Sequence, residues 1–68
     1  MSDHVYKAIE VTGSSPVSIS EAIRVAVVKA AETVRNIEWF EVVTTRGHVV
    51  DGAVGHFQVT LKIGFRLD

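Results

Sequence analysis

The sequence predicts an α+β fold of element order β-α-β-β, in which a three-stranded antiparallel sheet of order 1-3-2 packs on one helix. Three observations predict it. Apolar residues at Ile19, Ala22, Ile23, Ala26, Val27, Ala30, Val34 and Ile37 fall on one face of a helix. Ala53, Gly55, Phe57, Val59, Leu61, Ile63, Phe65 and Leu67 take every odd position of the last segment, and His56, Gln58, Thr60, Lys62, Gly64 and Arg66 take the even ones, which is the alternation of a half-buried strand. Asp51 and Gly52, just before it, form a hairpin-turn dipeptide.

Taken in order, the run from Val5 closes at Gly13 and predicts a first strand over Tyr6 to Thr12. The stretch SSPVS then reads as a turn. Ser18 followed by Glu21 fits a capping box at a helix start, and Ser15 with Pro16 at the first helical position is a rival start three residues earlier. Glu21, Arg24, Lys29, Glu32 and Arg35 fall on the opposite, solvated side, with spacings that permit pairs such as Glu32 with Arg35. The run from Trp39 to Val50 is rich in β-branched and aromatic residues and predicts the second strand. A helix returning antiparallel to strand 1 leaves strands 1 and 2 pointing the same way, and placing strand 3 between them makes the sheet all antiparallel. One face of the sheet is then left without a helix.

A chain of 68 residues makes one domain, read as residues 1–68, and buries only ~60% of the surface its unfolded form exposes. There is no cysteine for disulfides or thiolate metal sites, and three scattered histidines do not build a structural zinc site. With 47% hydrophobic residues and little interior to fill, the expected source of stability is self-association. A formal charge of −1 gives neither the basic footprint of a nucleic-acid binder nor a polybasic membrane patch. The N-terminal stretch lacks a basic start, an apolar segment and a cleavage site, which predicts a cytoplasmic protein without membrane attachment.

The one tryptophan is the most informative residue. If Phe40 and Val42 join the core, Trp39, Glu41, Val43 and Thr45 point to the uncovered face, which they share with Gln58. An indole and a carboxamide on an open sheet face of a self-associating protein suit a flat ligand or a subunit contact, and the pattern alone favours the contact.

Four further motifs give that face a more specific reading. WFEV from Trp39, RGH from Arg46, HFQV from His56 and GFRLD from Gly64, with VTGSSP at the end of strand 1, resemble the dodecins in order and spacing over nearly the whole chain. The resemblance implies a hollow homododecamer of β-α-β-β subunits that binds flavin. It implies two flavin rings stacked together between symmetry-related copies of Trp39, with Gln58 hydrogen-bonding the isoalloxazine edge. An offset aromatic stack adds ~0.5–1.5 kcal/mol beyond area burial, and a carboxamide offers both a donor and an acceptor. Arg46 matches a family arginine associated with the flavin phosphate or ribityl tail, which a guanidinium suits. Strict alternation would place Arg46 with Phe40, so its outward use requires a bulge or the strand's end near Gly47; the rival reading is a solvated rim charge. Glu38 stands where many members carry aspartate, and the longer side chain need not reach the same atom. With Thr45 on the predicted open face, the cofactor-binding candidates are Trp39, Gln58, Arg46, Glu38 and Thr45.

The resemblance implies FMN as ligand, with riboflavin, FAD and lumichrome as alternatives; a coenzyme A site, present in part of the family, falls on no identified residue. The function expected is flavin storage and protection from photochemistry, with no catalysis. An enzyme would have to use His48 and His56 with Glu10, Glu41 or Asp51, yet no spacing among them builds a nucleophile–base pair or a metal triad. The stronger rival is a structural or interaction oligomer without flavin. Base stacking on Trp39 and Arg46 is disfavoured by the net charge.

Overall fold

The computed structural model describes residues 3–68 and has the predicted order: β1 (Val5–Ser15), α1 (Ile19–Ala31), β2 (Ile37–Val50) and β3 (Ala53–Leu67). Both β1 and β2 pair antiparallel with β3, giving the sheet order β1-β3-β2. Strand β1 runs three residues past its predicted end, to Ser15. The buried Ser15 hydroxyl accepts a hydrogen bond from the Val17 amide at 3.0 Å, so the SSP stretch closes the strand and does not start the helix. Ser18 is the N-cap, its Oγ accepting from the Glu21 amide at 3.0 Å. The return arm of the capping box is replaced, because the Glu21 carboxylate is taken by Arg24.

Helix α1 stops at Ala31, short of the predicted face through Val34 and Ile37. Asn36 adopts φ 65°, a left-handed conformation that asparagine tolerates, and its carbonyl accepts from the Arg66 amide at 3.1 Å. The chain is thereby turned onto β3, and Ile37 enters β2. Arg35 lies beyond the helix, so Glu32 pairs instead with Lys29 at 3.4 Å. At the far end Asp51 and Gly52, at φ 51° and 75°, make the hairpin turn.

The core is a seam between Ala22, Ala26 and Ala30 of α1 and Val59, Leu61 and Ile63 of β3. The alanines let the helix approach closely, and Gly13 of β1 allows the closest approach: a Cβ there would overlap the Ala22 carbonyl oxygen and lie 2.8 Å from the Ala26 Cβ. Gly13→Ala is accordingly expected to destabilise the subunit by about 1–3 kcal/mol through overpacking, measured as a lowered urea midpoint at unchanged slope.

A 13-residue helix is about 20 Å long and covers β1 and β3, whereas β2 meets the core only through Ile37. Phe40 and Val42, expected in the core, sit on the helix side of the sheet opposite Ile63 and Leu61 but lie beyond the helix, 49% and 44% exposed. The chain is elongated: its radius of gyration is 14.2 Å, against about 11 Å for a compact chain of this length. Its surface of 4850 Å² exceeds the roughly 4200 Å² of a compact monomer of this mass. Much of the exposed apolar surface lies along β2, on Trp39, Phe40, Val42, Val43, Val49 and Val50.

Candidate functional site

From His56 to Leu67 the odd residues of β3 lie on the α1 side, so the even residues there define the open face, and register assigns their neighbours. Successive rungs across that face are Tyr6–Arg66, Ala8–Gly64–Trp39, Glu10–Lys62–Glu41, Thr12–Thr60–Thr44, Ser14–Gln58–Arg46 and His56–His48. The face is mostly polar, its apolar parts being the tryptophan rung and Val50 near the hairpin, and Thr12 and Thr60 share a hydrogen bond of 2.9 Å.

Two bulges in β2 decide which side chains reach this face. The register shifts between Ile37 and Trp39 and again between Val42 and Thr44, leaving Glu38 and Val43 as extra residues. The second bulge reverses the alternation beyond it. Arg46 consequently stands opposite Gln58 on the open face, meeting the condition that its outward use required. The same reversal corrects Thr45, which pairs with fully buried Val59 and lies on the helix side, away from Trp39.

Trp39 stands on the open face, 41% exposed. Its six-membered ring lies against Gly64, so closely that a Cβ on Gly64 would overlap ring carbons Cδ2, Cε2 and Cζ2. One face of the indole is thus covered by the strand and the other is free. Glu38 stands beside it, one carboxylate oxygen accepting from the Tyr6 hydroxyl at 3.2 Å and the other 3.8 Å from Arg66 Nη1. Local desolvation and the hydrogen bond to Glu38 push the Tyr6 phenol above its usual range, with Arg66 opposing.

The sequence alone assigns Gly64 no part in the site. Its signal was a glycine inside an otherwise unbroken strand, which often marks a close approach. Gln58 is half-buried, and with Ser14, His48, Val50 and His56 it lines a cavity of about 400 Å³. Gln58 and Gly64 are six positions apart on β3, about 20 Å of strand, which is more than a three-ring heterocycle spans. Trp39 and Gln58 of one chain share a face but not a single ring-sized site. Among the described residues no group of three or more His, Cys, Asp or Glu side chains gathers as a metal site would need, and no helix is long and apolar enough to cross a membrane.

The subunit presents one aromatic ring on the sheet face its helix leaves open, beside an edge strand with exposed apolar side chains, the features of a small subunit with surfaces left for a ligand and for other copies. Comparison with known proteins makes the class specific. The dodecin family model matches residues 5–68. A dodecin of Thermus thermophilus is 41% identical over 64 residues, covering 94% of this chain and 93% of that one. The solved dodecin of Streptomyces coelicolor superposes with a TM-score of 0.94 at 50% identity, covering 100% of this chain and 97% of its own. That of Streptomyces davaonensis gives 0.94 at 46% identity, covering 98% of each chain. The chain belongs to the dodecin family, small flavin-binding proteins that assemble as oligomers.

Proposed function

We propose that this protein stores and buffers flavin, FMN foremost, as ring pairs stacked between symmetry-related Trp39 side chains of a closed homododecamer in the cytoplasm. The observation that carries the reading is the indole of Trp39, flat against Gly64 with one face free. An indole with a single free face stacks a single ring. Two subunits facing each other across a symmetry axis then enclose two flavins, one for each chain.

The distance from Trp39 to Gln58 within a chain supports a shared site, in which one subunit supplies the stacking indole and another supplies Gln58 for the ring edge. Arg46 stands opposite Gln58, which supports a role for its guanidinium in holding the phosphate or ribityl tail. Glu38 borders the stacking ring. Thr45, on the other side of its sheet, is left without a part in the stacking face. A flavin ring sandwiched between its twin and an electron-rich indole offers little room for a substrate, which supports storage over catalysis. The same stack places an excited flavin against an electron donor, so its emission is quenched.

Titration of FMN and riboflavin into the protein and into Arg46→Ala tests the assignment through flavin fluorescence. The expected result is quenching that saturates at one flavin per chain. Arg46→Ala should weaken FMN by about ten- to a hundredfold, the worth of a charge-assisted hydrogen bond, and leave riboflavin nearly unchanged. Equal losses for both ligands would show that Arg46 acts on the ring or the fold and not on the phosphate.

A further inference from the structure

The Trp39 indole does not hang free from the sheet. Its benzo ring occupies the space that any side chain at Gly64 would need, and the third residue of the same rung is Ala8, small enough to leave the trough open. Glu38, at the edge of the trough, is the extra residue of the bulge that turns Trp39 to the open face. Both of its carboxylate oxygens are engaged, one by the Tyr6 hydroxyl of β1 and one by Arg66 of β3. These contacts reach from the far edge strand across the central strand to the bulge. They tie the conformation of the bulge, and with it the direction of the next side chain, to the sheet itself.

We propose that Gly64 and Tyr6 are positioning residues for the stacking indole. Gly64 supplies a flat seat for the ring, and Tyr6, acting through Glu38, holds the bulge that aims the ring at that seat. The inference rests on the reading of Trp39 as the flavin-stacking group. Its physical content is preorganisation: a ring already ordered in the single subunit loses little rotamer freedom when ligand arrives. A side chain at position 64 would evict the indole from the sheet. Loss of the Tyr6 hydroxyl would leave Glu38 held from one side only, without removing any atom of the stacking ring.

Trp39 is the chain's one tryptophan, so the long-wavelength indole bands of the near-ultraviolet circular dichroism spectrum report its orientation alone. The experiment records these bands, and riboflavin affinity, for the wild type, Gly64→Ala and Tyr6→Phe, with light scattering as the check on assembly. Gly64→Ala is expected to lose most of the indole signal and to bind riboflavin about five- to 150-fold more weakly, the worth of one aromatic stack. Tyr6→Phe is expected to weaken the signal and the affinity together, the latter by about two- to tenfold. Retention of the wild-type indole bands in both variants overturns the proposal, as does unaltered riboflavin affinity in variants whose bands have collapsed. If Gly64→Ala does not fold, Tyr6→Phe decides alone. A wild type that shows the ordered indole but binds no riboflavin would refute the storage reading while leaving the seat in place.

Discussion

Trp39→Ala is expected to abolish most flavin binding while leaving the subunits folded and assembled. The indole packs on Gly64 of its own chain and takes no part in the α1–β3 core, so its removal leaves a shallow trough on the open face and no internal cavity. For the ligand the loss is much larger. One base-like stack is worth ~1–3 kcal/mol, and each of the two flavins in a shared pocket loses the one indole it stacks on. The effect is roughly one to two orders of magnitude in affinity for each flavin. Flavin fluorescence quenching beside size-exclusion chromatography separates the outcomes. Unchanged quenching in an assembled variant would reject the stacking model, and an assembly that falls apart would make Trp39 an interface residue.

The facing of Trp39 was legible in the sequence because Phe40 and Val42 fixed the alternation next to it, and the register with Gly64 and Ile63 agrees. That alternation could not be carried further. The bulge at Val43 lies inside the run VVTT, where four β-branched residues look alike on either face and no glycine or proline marks the extra residue. For that reason Arg46 was legible only as a conditional, and Thr45 fell on the wrong face. The early stop of α1 was hidden for a different reason: Val34 and Ile37 continue the helical spacing of apolar residues, and the left-handed turn at Asn36 overrides it. The part Gly64 plays is not legible in the sequence, because it is steric and concerns a side chain far away in the chain. The long odd–even alternation of β3 survived intact from Phe57 to Leu67, since its odd side is the floor of the core.

Phe40→Ala has the opposite expected outcome to Trp39→Ala: the subunit keeps its fold and the assembly weakens. On the sequence pattern alone Phe40 is a core residue whose truncation would unfold the subunit. In the structure it stands on the helix side of the sheet, beyond the reach of α1, and half of it is exposed within the chain. Val42, two positions along on the same side, is in the same condition. A phenylalanine carries 150–250 Å² of buriable surface, so about 100 Å² of Phe40 remains for a neighbouring subunit to cover. At about 25 cal/mol per Å² that is roughly 2.5 kcal/mol for each subunit, and a closed assembly meets the loss at every copy. Light scattering across a dilution series, with far-ultraviolet circular dichroism as the measure of folding, is the direct test. The wild type should hold one large oligomer at micromolar concentration, whereas Phe40→Ala should dissociate to smaller species that retain their secondary structure. Dissociation would also carry flavin binding away with it, because Trp39 and Gln58 of one chain lie too far apart to share a ring. An assembly that survives the substitution unchanged would mean that the exposed flank of β2 is not what joins the subunits.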